Sequence, residues 1–437
     1  MVLKAMGWVA QAALLAGAVA AGAQTRAQHK VVVISLDAFG AESLHDPMLP
    51  APTLHAMMRD GAYARAMNPI NPSVTWPNHT AMVTGVNASK HHLLVNGLIV
   101  DQRTDKAPSS VAHTPKSVLV AVPTVYDAAH AAGLTTAEVD WVAIEKADGI
   151  TWRFTEYTEP HGEIEQDLVQ QGTITEGELA HWHKGSQAWR DRMYTAAARD
   201  IIRKHHPDLL LVHLLSLDSI EHKTGWGNDS GINTIAFLDD RVKEIVDAVR
   251  DAGDLAHTTF LVVSDHGQMS VQKFVDPNDV LIKAGLQGPG VANPAFALND
   301  GGFALVYQKH ATPDSAAQLK KLFTGSEGIR SALLPEEAAK EGWPTPAQTD
   351  QAGDLLLYAA NGFAFGPARE KNKGAHGYPN TEPLMKSIFI ASGAGVAKRG
   401  EIPEFNNIDI APTIARLLGI EMKNVDGKPV DAIFSGR

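Results

Sequence analysis

Six side chains of metal-binding types sit at the ends of apolar, strand-like runs in this chain. Asp37 follows VVVISL, Asp218 and His222 lie in LLLVHLLSLDSIEH, Asp265 and His266 close TTFLVVSDHG, and His376 is in GAHGY. Three carboxylates and three imidazoles suffice for two divalent cations, with positions left over for substrate oxygens. Thr75, in NPSVTWPNHT, adds a hydroxyl, a poor nucleophile unaided but one that a coordinated cation acidifies. Together these residues point to metal-assisted chemistry at a phosphate or sulfate ester. Each has a plainer role open to it when taken singly, since Asp forms turns and helix caps and Thr75 suits an N-cap. Four candidate ligands in three strand-end loops favour the metal reading for the group.

Positioning such a set requires a parallel sheet, because ligands of open α/β sheets gather outside the carboxyl ends of the strands. The continuous runs Lys30 to Leu36, Asp208 to Leu217 and Thr258 to Ser264 have the pattern of strands buried on both faces. Between them, helical periodicity is expected over Pro52 to Gly61, Asn78 to Thr84 (just after Pro77), Val122 to Gly133, Gln187 to His206 and Ile232 to Ala252. A short strand is expected near Thr135 to Val139, a closing strand at Ser387 to Ile390 and a last helix at Asp409 to Leu418. The segment from Trp141 to Glu178 looks polar and irregular. This alternation predicts an α/β fold, a three-layer sandwich around a central, mostly parallel sheet. One turn of helix after the strand would put Asp218 and His222 on one face. Gly267 permits the tight turn that Asp265 and His266 need to reach one cation. Residues 268–373, rich in Gly, Pro and Asn, break the rhythm and read as an insertion capping one side of the site.

The 437 residues carry 44% hydrophobic and 20% charged side chains and a formal net charge of -11, with no basic cluster along a helix or loop. A nucleic-acid polymer is therefore not an expected partner. The chain has no cysteine, so disulfides contribute nothing to its stability. Lys4, an apolar Ala-rich stretch and the small residues Ala21, Gly22 and Ala23 read as a signal peptide over residues 1–23, too short for a stable membrane span. The expected location is therefore secreted or periplasmic, with the functional domain over residues 28–437. The pairs His91/His92, His181/His183 and His205/His206 read as solvated surface. Oligomeric state is left open.

The motifs VVVISLDAF, NPSVTWPNHTAMVTG followed by Asn96, LDSIEH, SDHG and GAHGY, in that order, resemble the nucleotide pyrophosphatase/phosphodiesterase branch of the alkaline phosphatase superfamily. The resemblance extends over most of Lys30 to Ile420 and implies an alkaline phosphatase-like fold with capping insertions. It implies two zinc ions, with manganese or iron as alternatives. Asp218, His222 and His376 would hold one, and Asp37, Asp265, His266 and the Thr75 oxygen the other. Thr75 would attack phosphorus to give a phosphothreonine intermediate that water then releases, and Asn96 would hydrogen-bond a nonbridging phosphate oxygen. The implied substrates are nucleotides or similar small diesters. A phosphonate or phosphomonoester hydrolase on the same metal core is the alternative, ahead of a non-catalytic exported metal- or nucleotide-binding protein. A sulfatase is disfavoured, since no C/S-x-P-x-R motif occurs. Trp76 matches a position where the family packs an aromatic ring on the nucleobase, although plain core is an equal reading. His213 stands where nucleotide-cleaving members carry a tyrosine, and both residues are candidates for substrate binding. The segment beginning at Trp141 resembles the family's Trp-Pro-Gly segment without its Pro and Gly.

Overall fold

The computed structural model describes residues 29–367 and 369–434. The expected signal peptide, residues 1–23, lies outside the described residues. The main sheet has eight strands: β1 (Lys30–Leu36), β2 (Ala62–Ala64), β3 (Thr136–Val139), β4 (Trp152–Phe154), β5 (Leu209–Leu214), β6 (Thr258–Val263), β7 (Phe389–Gly393) and β8 (Gly400–Ile402). Their spatial order is β8-β2-β7-β6-β1-β5-β3-β4. Every pairing is parallel except the two made by β7, so β7 alone runs against the rest.

Alternation along β1 explains the three layers. Val32, Ile34 and Leu36 face one core, with Leu54 and Met57 of α1 (Pro52–Asp60) and the long helices Gln187–His205 and Asp229–Asp251. Val31 and Val33 face the other, with Met82 and Val83 of α2 (Thr75–Thr84) and the helices Val125–Ala131 and Ile410–Leu418. Strands covered on both faces need apolar side chains at every position, which is why their sequences run unbroken.

Two expectations change. Helix α2 begins at Thr75 rather than Asn78, with extended Val74 as its N-cap, so Thr75 is the first helical residue. The segment from Trp141 to Glu178 is more regular than its polarity suggests, since it holds β4 and the helices Glu163–Gln170 and Glu176–Ala180.

Within residues 268–373, strands Ala295–Asp300, Phe303–Gln308, Ile329–Leu333 and Leu355–Ala359 form a separate antiparallel sheet. One face carries its own core, including Ala304, Val306, Leu319, Phe323 and Leu357. The other, through Phe303, Leu305, Tyr307 and Tyr358, packs on Ile70, Val74 and Ala81. The loop that leads into Thr75 is thus clamped between the two sheets. Among the described residues no helix is long and apolar enough to cross a membrane.

Candidate metal centre

Strands β6, β1 and β5 are neighbours at the centre of the sheet, and each leads at its carboxyl end to one of the acidic residues. Asp37 follows β1 and Asp265 follows β6, while Asp218 lies in the first turn of α3 (Ser216–Thr224), the helix after β5. His222 is four residues further along the same helix face. His376 follows the strand Gly374–Ala375, which pairs with Met269–Ser270 just after His266.

These residues close into two groups, Asp37 with Asp265 and His266, and Asp218 with His222 and His376. Within each group the ligand atoms lie within 4.8 Å of one another. In the first, His266 Nε2 is 3.2 Å from Asp265 Oδ2, 3.6 Å from Asp37 Oδ1 and 3.3 Å from Thr75 Oγ1. In the second, Asp218 Oδ1 is 3.2 Å from His222 Nε2 and 3.8 Å from His376 Nε2. The His266 and His376 rings stack at 4.1 Å and join the groups.

Three observations fit these residues to cations. Asp37 Oδ1, Asp218 Oδ1 and Asp265 Oδ2 are buried and have no hydrogen-bond partner among the described residues, yet each faces the imidazole Nε2 atoms. A buried polar atom left alone is costly, so three converging ones call for a ligand. His222 Nδ1 and His266 Nδ1 are 2.9 and 3.0 Å from the carbonyls of Gly374 and Gly267. Donation there fixes the tautomer and turns an Nε2 lone pair toward the site. Finally, the charges are crowded. Burial, then the Asp265 and Asp218 carboxylates, push Asp37 well above the usual carboxylate range, and burial also raises Asp265. Burial lowers His266 to about 4, a neutral ring suited to ligation. At Asp218 burial acts upward, but His222 and His376 outweigh it and hold the carboxyl low. At His222 burial acts downward, but Asp218 prevails and raises it to about 9.

The groups differ in depth. Asp37, Asp265 and His266 are 0–1% exposed, whereas Asp218 and His222 have side-chain exposures of 17% and 27%. The inner ligands are therefore the more deeply enclosed and the outer ones reach solvent.

Residues 31–379 match the family described as type I phosphodiesterase / nucleotide pyrophosphatase. The chain belongs to that family. Human ectonucleotide pyrophosphatase/phosphodiesterase family member 7 is 24% identical, over 96% of this chain and 86% of its own length. Rat family member 1 is 23% identical over 89% of this chain, which spans only 40% of that relative. A solved structure of murine ectonucleotide pyrophosphatase/phosphodiesterase 5, an inactive threonine-to-alanine form in complex with AMP, aligns with a TM-score of 0.74. It shares 16% identity and the alignment covers 93% of this chain and 100% of that one, which shows a common alkaline phosphatase-like fold. Membership makes the chain a metal-dependent hydrolase of phosphodiester or pyrophosphate bonds.

Around the two groups, Asn96 lies on the surface, and its Oδ1 accepts the Trp76 N–H at 3.0 Å. The first N–H groups of a helix have no partner within it, and Asn96 occupies this one. Trp76 is 8% exposed; it packs with Leu93, Leu119 and Val142 and also lines a cleft of ≈ 550 Å³ with Trp141, Ala143 and Tyr157. The cleft loop that lacks the family's Pro and Gly turns instead through left-handed Asp140, Ala143 and Lys146, with φ of 57°, 53° and 54°.

Two expectations about histidines fail. His213 cannot frame a substrate, because its side chain is fully enclosed behind Asp37, with Nε2 3.1 Å from Asp37 Oδ2. His91 is not solvated surface: it is fully buried, and burial lowers it to about 3. Sequence reading also passed over His79, fully buried with Nδ1 2.8 Å from the Thr75 carbonyl and Nε2 2.8 Å from Ser35 Oγ. Its place four residues after Thr75 on one helix was the available signal.

Proposed function

We propose that the chain hydrolyses nucleotide or similar small phosphate diesters at two cations, zinc in the first instance, through a covalent phosphothreonine. The observation that carries this reading is the convergence of two Asp/His groups, joined by the stacked His266 and His376 rings, with the Thr75 hydroxyl 3.3 Å from His266 Nε2. When bound, the cations supply Lewis-acid charge for the phosphoryl oxygens and acidify a neighbouring hydroxyl. Asp37, Asp265, His266 and Thr75 would hold one, and Asp218, His222 and His376 the other.

Thr75 Oγ1 forms the bond to phosphorus as the P–O bond to the leaving group breaks, and water then cleaves the phosphothreonine, with retention at phosphorus over the two displacements. Its place as first residue of α2, pinned through its carbonyl by His79, holds the hydroxyl still for in-line approach. Asn96 Oδ1 is committed to the Trp76 N–H, which leaves Nδ2 as the donor for a nonbridging oxygen, where charge develops. The cleft beside Trp76 takes the nucleoside part, a reading supported by the AMP complex of the murine relative. Residues 268–373 form a cap over one side of this site, and residues 1–23 direct export to the periplasm or cell exterior.

Turnover of a nitrophenyl nucleotide diester against nitrophenyl phosphate tests the substrate class, and faster monoester cleavage rejects it. Thr75→Ala tests the nucleophile. A zinc-loaded variant that cleaved diesters at the wild-type rate would remove Thr75 from the mechanism.

A further inference from the structure

The inner site is built on two buried imidazoles that are not among its ligands. His213, on β5, is the register partner of Ser35 on β1, so both side chains rise from the same face of the sheet. Ser35 Oγ is 2.8 Å from His79 Nε2, and the two histidine rings lie 4.3 Å apart at 56°. Trp141 closes the far side of His79 at 4.8 Å, edge to face. His79 Nδ1 is 3.5 Å from Asp265 Oδ2, and His213 Nε2 is 3.1 Å from Asp37 Oδ2. The second ring nitrogen of His213 lies 3.1 Å from the Asp140 carbonyl; a neutral ring has one N–H, and donation to the Asp37 carboxylate places it on Nε2. Neither side chain is exposed, and no solvent is at hand to replace the contact to Asp37.

We propose that His213 is a positioning residue for the inner cation: by holding Asp37 at Oδ2 it aims Oδ1 at the point shared with Asp265, His266 and Thr75. The inference rests on the two-cation reading above and deepens it. Each site orients an imidazole through a backbone carbonyl, His266 by Gly267 and His222 by Gly374, whereas the His213 contact is made to a carboxylate of the inner site. Removing His213 should therefore loosen one cation and leave the other. A side chain that hydrogen-bonds a metal's ligand in this way is worth about 10- to 100-fold in metal affinity.

The test is zinc stoichiometry and affinity, measured by metal analysis and competition with a chelator, on the full chain. The wild type should hold two equivalents. His213→Phe keeps a ring against His79 but removes the contact to Asp37; it should bind one equivalent about 10- to 100-fold more weakly and the other unchanged. In His213→Gln the amide nitrogen falls near the lost Nε2 and should restore most of that affinity. If the phenylalanine form does not fold, His213→Asn replaces it, since its amide falls near Nδ1, serves Asp140 and does not reach Asp37. Loss in the Asn form with retention in the Gln form supports the assignment, and equal affinities in the two overturn it. A wild type that takes up two equivalents alongside a His213→Phe form that keeps both at wild-type affinity also overturns it, with the two-cation reading intact. A wild type that holds fewer than two sinks both.

Discussion

Glu138 offers a quantitative test of how the loop that begins at Trp141 is held. It lies on β3, is 1% exposed, and accepts the Trp141 N–H at 3.0 Å through Oε2, while Oε1 has no partner among the described residues. Burial is the main cause that pushes its carboxyl from 4.5 up to about 8, with the Trp141 N–H and Arg153 acting the other way. A carboxyl raised in the fold binds its proton more tightly there than in the unfolded chain. Its contribution is therefore complete below 4.5 and is lost as pH rises toward about 8. Each pH unit in that window is worth about 1.4 kcal/mol, so from pH 5 to pH 9 the loss is about 4 kcal/mol. Glu138→Gln has the shape of the protonated acid, keeps an oxygen for Trp141, and cannot ionise. Its stability relative to wild type should therefore rise by about 4 kcal/mol between pH 5 and pH 9, whatever the offset at pH 5. Urea unfolding of both proteins at the two pH values measures this, and metal uptake, which varies alike in both, cancels in the difference. A difference that stays flat within about 1 kcal/mol, or that grows in favour of the wild type, would mean that Glu138 ionises normally in the fold and that the burial argument is wrong.

Three further outcomes follow from the site. Limited chelator should draw one cation before the other, because Asp218 and His222 reach solvent and Asp37, Asp265 and His266 do not. The fast phase should vanish in His222→Ala, and its persistence there would disprove the assignment of the outer site. Asn96→Ala should lower kcat/KM for a diester by about 10²-fold, the usual cost of one transition-state donor. Its stability should fall by only about 1 kcal/mol, the cost of freeing the Trp76 N–H that Asn96 Oδ1 accepts. Gly302→Ala would place a Cβ 2.5 Å from the backbone nitrogen of Tyr378. The hairpin must then withdraw from the His376 segment, at about 1–3 kcal/mol of stability, and metal analysis should show the outer site weakened more than the inner one.

What could be read from the sequence divides along physical lines. β1, β5 and β6 were legible because strands covered on both faces must be apolar throughout, and a charged residue at the end of such a run marks the sheet's carboxyl edge. The start of α2 was misplaced because Pro77 suits a first turn anywhere within it, and nothing local announces that Val74 is extended and Thr75 already helical. His213 was noticed but aimed the wrong way. A histidine inside LLLVHLL cannot reach water, so it must find partners within the protein, and Asp37 and Asp140 supply them. His91 and His79 share that difficulty, since a polar residue's burial depends on what packs over it from elsewhere in the chain. The antiparallel sheet within residues 268–373 was hidden because its strands pair out of sequence order, Leu355–Ala359 lying between Phe303–Gln308 and Ile329–Leu333.

The depth difference between the two metal groups follows from which parts of the chain supply them. Asp37, Asp265 and His266 come from the ends of adjacent central strands, where sheet and helix cores cover them completely. Asp218 and His222 stand on a helix that has already left the sheet, and His376 is carried by a segment tied to two other elements. Its carbonyl accepts the N–H of Gly302, at the tip of the second sheet, at 2.7 Å, and the next residue, Gly377, donates to the carbonyl of Ser73 at 2.9 Å. The outer ligand is thus laced both to the second sheet and to the loop that delivers Thr75. A shift of that sheet would be felt at His376 and at Thr75 together, while Asp37, Asp265 and His266, anchored in the main sheet, would stay in place.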